Sequence, residues 1–117
     1  MLRLWRATIN SRNGLLFAAR SEQAVREELA ALVIAIPLAW LIGATTMRRV
    51  ELVAAVVLVL VVELLNTAIE KLADRLTTDH DQQIKHVKDM GSAAVGVTLV
   101  MAGLFWLFAI AERMGGI

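Results

Sequence analysis

Cysteine and tyrosine are absent from this chain of 117 residues, and proline occurs once. Without cysteine the protein has no disulfide, no thiol nucleophile and no Cys-based metal site. The motifs Gly-x-Gly-x-x-Gly and His-Glu-x-x-His are missing, as is any Ser-His-Asp pattern, so the corresponding dinucleotide, zinc and serine-hydrolase sites are excluded. Gly91 and Gly96 superficially have P-loop spacing, but Val97-Thr98 follows where that motif requires Lys-Ser/Thr.

Long apolar runs dominate what is present. Hydrophobic residues make up 58% of the chain, and the mean hydropathy is +0.66. Leu29–Met47 and Met90–Ala111 contain 19 and 22 residues without a charge, and each is long enough to cross a hydrocarbon core of about 30 Å. A third run, Leu52–Val62, spans only if Glu63 and Asn66 are counted within it. The sequence therefore predicts one all-α membrane domain, residues 1–117, with spans at about 29–47, 50–72 and 90–111.

The distribution of Lys and Arg predicts the orientation of these spans. Nine of the twelve lie before span 1 or in the 71–89 loop after span 2, whereas Arg48, Arg49 and Arg113 lie on the opposite side. This places the N-terminus and the 71–89 loop in the cytoplasm. Acidic residues precede the first apolar run and no small-residue cleavage site follows it, so a signal peptide is not expected.

Residues 2–20 are predicted to form a basic amphipathic helix that lies on the inner leaflet. A turn is expected within it at residues 10–14, which read Asn-Ser-Arg-Asn-Gly. Ser21 is expected to cap a new helix that continues into span 1. The apolar and basic residues of the first two turns are Leu2, Arg3, Trp5, Arg6 and Ile9.

Span 2 carries a polar stripe. Glu63, Asn66, Glu70 and Asp74 are spaced 3, 4 and 4 apart, so they lie on one face of a helix. An ionisable group at the depth of Glu63 is costly and indicates a functional site by default. Three carboxylates on one face favour a site that holds a divalent metal or supplies a base. The alternative is polar contact between helices, which Asn66 alone would fit.

Further polar residues lie on the predicted cytoplasmic side. Glu22 and Glu28 precede span 1, and Glu28 and Glu70 are expected near the same interface, where two helices could share magnesium with substrate phosphates. Each acid taken alone also fits a solvated surface. Lys88 and Asp89 stand next to the start of span 3, where free backbone N–H groups favour phosphate. Ordinary capping and snorkelling at a span end is the alternative there.

Two segments together resemble a known family. Residues 63–70 read Glu-Leu-Leu-Asn-Thr-Ala-Ile-Glu, and residues 88–94 read Lys-Asp-Met-Gly-Ser-Ala-Ala. Both closely resemble motifs of the prokaryotic diacylglycerol kinase family, at matching separation on matching spans. The resemblance covers nearly the whole chain, including the helix that carries Arg3 and the stretch from Glu22 to Glu28. Asn10 departs from the pattern, because the Gram-negative enzymes carry Tyr there.

The resemblance implies a homotrimer of three-span chains in the bacterial inner membrane, with the C-terminus periplasmic and active sites shared between chains. It implies Glu63 as general base, Glu28 and Glu70 as Mg²⁺ ligands with Glu22 as a further candidate, and Asn66 and Asp74 as structural support. The residues implied in ATP binding are Arg3, Asn10, Glu22, Glu70, Asp79, Asp81, Lys88 and Asp89. Those implied in binding the lipid substrate are Arg3, Ser11, Glu28, Glu63, Ser92 and Trp106.

The expected reaction transfers the γ-phosphoryl group of MgATP to the primary hydroxyl of 1,2-diacylglycerol, giving phosphatidic acid. The lipid hydroxyl lies at the interface, so a base at Glu63 suits it, while the metal and cation residues face the water that supplies ATP. Undecaprenol kinase is the alternative within the same chemistry. A non-enzymatic three-span protein, such as a small cation channel or assembly factor, is the rival class. No nucleic-acid partner is expected.

Overall fold

A computed structural model describes residues 1–77 and 79–117. In that part of the chain every regular element is an α-helix, as the sequence predicts. The helices are α1 (Leu2–Ser21), α2 (Gln23–Ile42), α3 (Thr46–Leu76) and α4 (Gln82–Arg113). By length and composition, α3 and α4, of 31 and 32 residues, are long and apolar enough to cross a membrane.

Helix α3 lies in the middle of the packing, with α4 along one side and α2 along the other. Small side chains fill much of these contacts. Ala55 and Val59 of α3 pack against Ala102 of α4. Nearer the N-terminus of α3, Leu52 packs against Ala39 of α2 and Ala109 of α4. Alanines at such positions let helix backbones approach closely. Most large apolar side chains instead face outward, as expected where the surroundings are lipid.

One ion pair and one hydrogen bond from Trp106 tie α3 to α4 at the end away from the predicted cytoplasmic side. The Arg48 guanidinium donates to both carboxylate oxygens of Glu112, at 2.9 and 3.2 Å, and also to Glu51 at 2.6 Å. Trp106 donates its indole N–H to the Leu52 carbonyl at 3.2 Å. These bonds fix the register of the two long helices.

The turn predicted at residues 10–14 is wrong, because α1 continues through it. The Ser11 hydroxyl donates to the Ala7 carbonyl one turn earlier, at 2.9 Å, so its polar side chain is satisfied within a helix. Local turn propensity is a weak preference that a continuous helix overrides. Ser21 also does not cap α2; it is the last residue of α1, and Glu22 takes the N-cap position with an extended backbone.

Arg26 joins α1 to α2. Its Nη1 donates to the carbonyls of Ala19 and Arg20, at 2.9 and 3.1 Å, and so satisfies two acceptors that the end of α1 leaves without intrahelical partners. Ala18 is buried beside Val25 in the same corner. The surface helix is thereby attached to the bundle at its C-terminal end.

The helix bounds differ from the predicted spans at both hairpins. Helix α2 ends at Ile42, so residues 43–47 of the segment predicted as span 1 lie outside it. Helix α3 begins at Thr46 because the Thr45 hydroxyl accepts from the Arg48 amide at 3.1 Å. Helix α4 begins at Gln82, well before residue 90, because Asp81 caps it by accepting from two backbone N–H groups.

Gly43 generates a stability prediction. A Cβ there would lie 2.5 Å from Arg49 Cγ and 2.8 Å from the Ala39 carbonyl oxygen, whereas one at Gly14 would meet nothing within 4 Å. We expect Gly43→Ala to destabilise the fold by about 1–3 kcal/mol, since a crowded site must shift to accept a methyl group. Gly14→Ala is the matched control and should be neutral or slightly stabilising. Denaturant titration in detergent micelles measures both, and equal midpoints for the two variants would contradict the packing described here.

Candidate active site

The polar stripe of α3 lies on an uninterrupted helix from Glu63 to Asp74. Asn66 is buried, with 8% of its surface exposed, and its amide Nδ2 donates to Glu70 Oε1 at 3.2 Å. Glu63 and Glu70 are each partly exposed. The amide therefore holds one carboxylate oxygen of Glu70 in place and leaves the second oxygen for another partner.

Helix α4 closes the stripe from one side through Gly91. Gly91 is buried, and the nearest atoms to the position of an added Cβ are all in the Asn66 side chain. The Asn66 Oδ1 atom has no hydrogen-bond partner among the described residues. The two motifs that are 25 residues apart in the sequence therefore meet at one point, the Asn66 amide against the Gly91 backbone.

Helix α2 brings two further carboxylates to the same region. Glu28 of α2 lies within electrostatic range of Glu63 and of Glu27. Glu22 and Glu70 lie within electrostatic range of Glu63. Helices α2 and α3 thus concentrate negative charge around Glu63, an arrangement that favours binding of a cation.

Cations border this acidic region. Lys71 of α3 pairs with Glu22 at 2.9 Å and lies 5.2 Å from the centroid of the Phe17 ring. Lys88 of α4 pairs with Asp74 of α3 at 2.5 Å. Exposed pairs of this kind contribute little to stability, so an incoming phosphate could compete for either ammonium group.

Other predicted site residues lie at helix ends or are bonded locally. Asp81 caps α4 by accepting from the amides of Gln83 and Ile84. Asp89 accepts from Lys85 on its own helix, at 2.7 Å. Asp79 is exposed just beyond the end of α3, and Ser92 is exposed next to Gly91. All four belong to the end of the bundle at which Lys88 lies.

Arg3 and Trp106 are not brought to Glu63 within one chain. Arg3, Asn10 and Ser11 are exposed on α1, and Arg3 lies about 22 Å along the helix from the buried Ala18 at 1.5 Å per residue. Trp106 bonds to Leu52, which is about 16 Å along α3 from Glu63 by the same rise. A single chain therefore assembles the carboxylates and the Lys88 end, but not the complete predicted set.

A cleft of about 520 Å³ separates the C-terminal half of α1 from α3. Its walls are largely apolar, and Lys71 stands at its edge next to Glu70 in sequence. The cleft suits a molecule with an apolar body and a polar end. Residues of α1 on its wall include Ser11, Leu15 and Phe17, and those of α3 include Leu64, Thr67 and Lys71.

The donor set suits magnesium only together with a phosphate ligand. Within residues 1–77 and 79–117, no three His, Asp or Glu side chains are grouped closely enough to hold a metal by themselves. Magnesium usually takes one or two carboxylates and completes its shell with substrate phosphates and water. Glu28 of α2 and Glu70 of α3 both lie within electrostatic range of Glu63.

The sequence analysis did not predict three residues of this region as part of the site: Gly91, Lys71 and Arg26. Gly91 lies inside a recognised motif, yet no periodicity shows which side chain a glycine contacts. Lys71 directly follows Glu70, but its pairing with Glu22 depends on how α2 crosses α3. Arg26 acts on the end of another helix, a contact that helical spacing alone does not predict.

Comparison with known proteins identifies the family. The family model for prokaryotic diacylglycerol kinase matches residues 9–110. A diacylglycerol kinase of Escherichia coli K12 is 34% identical over 113 residues, which cover 97% of this chain and 93% of that protein. One from Haemophilus influenzae is 36% identical over 86% of this chain and 85% of its own length. One from Pseudomonas aeruginosa is 39% identical over 89% and 85%, respectively.

The match includes the segment from Glu63 to Glu70, the Lys88–Gly91 segment and the helices that bring them together. These matches extend over most of each compared chain. The chain belongs to the prokaryotic diacylglycerol kinase family.

Proposed function

We propose that this protein is a membrane lipid kinase that transfers the γ-phosphoryl group of ATP to the primary hydroxyl of 1,2-diacylglycerol, giving phosphatidic acid. The observation that carries the proposal is the contact between the polar stripe of α3 and α4, made by Asn66 against Gly91, near Lys88. Family membership and the names of the relatives support the same reaction. Undecaprenol kinase is not favoured, because these relatives are named for diacylglycerol, and a non-enzymatic span bundle would have no need for this constellation.

Glu63 is the proposed general base. Its carboxylate accepts the proton of the lipid hydroxyl while the hydroxyl oxygen forms a bond to the γ-phosphorus. The bond from that phosphorus to the β–γ bridging oxygen breaks, and ADP leaves with the oxygen. The proton on Glu63 then passes to water. Phosphoryl transfer requires mainly positioning and charge neutralisation from a protein, so one base and a few charged groups suffice.

Glu28 and Glu70 are the proposed magnesium ligands, with Glu22 available nearby. When bound, magnesium would neutralise charge that develops on the transferred phosphoryl group. The hydrogen bond from Asn66 to Glu70 supports this role because it orients the carboxylate. Glu28 lies where the charge of Glu63 acts on it, so a cation between them would relieve the repulsion.

The nucleotide is proposed to bind at the exposed end of the bundle formed by the end of α3 and the start of α4. Lys88 supplies a cation for the phosphates once it separates from Asp74, an exposed pair of low intrinsic strength. The remaining residues proposed in ATP binding are Arg3, Asn10, Glu22, Glu70, Asp79, Asp81 and Asp89.

The lipid is proposed to enter from the bilayer beside α1, with its glycerol end near Glu63. The cleft between α1 and α3 supports this, because it is apolar along its walls and lies next to the carboxylate face. The residues proposed to contact lipid are Arg3, Ser11, Glu28, Glu63, Ser92 and Trp106. Asn66 and Asp74 act as supports, one through Glu70 and the other through Lys88.

We further propose that the enzyme is a homotrimer of three-span chains in the bacterial inner membrane, with α2 as the additional span. The N-terminus and residues 71–89, which include the end of α3 and the start of α4, would be cytoplasmic, and the C-terminus would be periplasmic. Arg3 lies about 22 Å along α1 from Ala18, and Leu52, the partner of Trp106, lies about 16 Å along α3 from Glu63. These separations support sites shared between chains. Outward-facing apolar side chains on every helix provide surface both for neighbouring chains and for lipid.

The role of Glu63 predicts a large and selective loss of activity. Glu63→Gln should keep the fold and assembly but lower turnover by at least about 10²–10⁴-fold, the usual contribution of general base catalysis. The measurement is transfer of phosphate from ATP to dioleoylglycerol in mixed micelles. Glu51→Gln is the matched control, on the same helix but paired with Arg48 at the other end, and it should stay within about twofold of wild type. Turnover above a tenth of wild type in Glu63→Gln would contradict the assignment.

Shared sites predict complementation between inactive chains. Glu63→Gln and Arg3→Ala proteins are unfolded together and refolded as a mixture. If a site takes Arg3 from one chain and Glu63 from another, random assembly of equal amounts should restore about a quarter of wild-type activity. Each protein refolded alone is the control and should remain inactive. No recovery in the mixture would show that each site lies within one chain, while leaving the kinase proposal intact.

A further inference from the structure

Gly91 and Asn66 meet more closely than helix packing alone requires. An added Cβ at Gly91 would overlap Asn66 Oδ1 and lie 3.2 Å from Asn66 Cγ. The other two glycines inside α4, Gly96 and Gly103, have nothing within 4 Å of the same position. If the glycines of α4 served only to let helices approach, each of the three would have a neighbouring helix close to its Cβ position. Gly91 is the one of the three that leaves room for a specific polar group.

The space at Gly91 admits the Asn66 amide, and the Glu70 carboxylate fixes which way that amide points. With Oδ1 against the Gly91 backbone, Nδ2 faces α3 and donates to Glu70 Oε1 at 3.2 Å. The opposite orientation would aim an amide oxygen, an acceptor, at a carboxylate that also only accepts. Asn66 is 8% exposed, so little water is available to satisfy a displaced amide. Its Oδ1 has no other partner within the described ranges.

We propose that Gly91 is a positioning residue for divalent-metal binding, acting through Asn66 on Glu70. This inference rests on the proposed function, in which Glu70 is a magnesium ligand. Glu70 Oε1 is held by the amide, which leaves Oε2 directed to the metal. Groups that orient a metal-binding carboxylate typically contribute 10–100-fold to metal affinity. A side chain at Gly91 displaces the amide and releases Glu70 without touching the metal or the substrate itself.

The test compares Gly91→Ala with Gly96→Ala, the same change one and a half turns further along α4. Binding of Mn²⁺ to the assembled protein with a non-hydrolysable ATP analogue is measured by electron paramagnetic resonance, and the Mg²⁺ concentration for half-maximal activity is measured in parallel. Gly91→Ala should weaken Mn²⁺ binding by about 10-fold or more, and Glu70→Gln should do the same. Gly96→Ala should remain within about twofold of wild type.

A double-mutant cycle with Asn66→Ala separates positioning from general disruption. Removing the amide makes room for the methyl group, so Asn66→Ala/Gly91→Ala should fold and bind Mn²⁺ as Asn66→Ala alone does. Additive losses in the double variant would overturn the inference, as would wild-type Mn²⁺ affinity in Gly91→Ala when Glu70→Gln has lost it. Unchanged Mn²⁺ affinity in Glu70→Gln would overturn the metal role of Glu70 and this inference with it. If the wild type binds Mn²⁺ but transfers no phosphate to lipid, only the kinase proposal is overturned.

Discussion

The hydrogen bond from the Asn66 amide to Glu70, made in the contact between α3 and α4, is the interaction on which the site depends. Polar groups buried among apolar helices must find partners there, since no bulk water reaches them. The amide can lie in this contact only because Gly91 has no side chain. One glycine and one amide thereby set the distance between the long helices and the direction of a carboxylate. Changes at either residue are therefore transmitted to the charged groups around Glu63.

Polar contacts at the two ends of the α3–α4 pair have different consequences. At one end, Arg48 pairs with Glu51 and Glu112, and Trp106 bonds to Leu52, so donors and acceptors are largely matched. At the other end, the carboxylates of α2 and α3 gather near Glu63 with fewer cations among them, and Lys88 is held only by an exposed pair. The matched end holds the register of the helices. The carboxylates around Glu63 are suited to bind a cation, and the neighbouring lysines are suited to bind phosphates.

The sequence predicted the helical class, the long apolar segments and the face shared by Glu63, Asn66 and Glu70, because helical period and hydrophobic run length are local properties. It predicted the start of α4 poorly, since one cap at Asp81 outweighs a polar composition that reads as loop. It predicted a turn at residues 10–14 that the helix does not make. The contacts of Arg26, Lys71 and Gly91 depend on crossing geometry between helices, which no single stretch of sequence contains. Motif resemblance supplied the chemical roles, and packing supplied the reason for Gly91.

Phosphorylation of a lipid by the purified protein tests the central claim most directly. Radiolabelled ATP and Mg²⁺ are supplied in mixed micelles that contain either dioleoylglycerol or undecaprenol, and the extracted lipids are separated. The account predicts label in phosphatidic acid with dioleoylglycerol, dependent on the divalent ion, and much less label with undecaprenol. Label confined to undecaprenyl phosphate would contradict the substrate, and no labelled lipid from a folded, assembled protein would contradict the lipid kinase account itself.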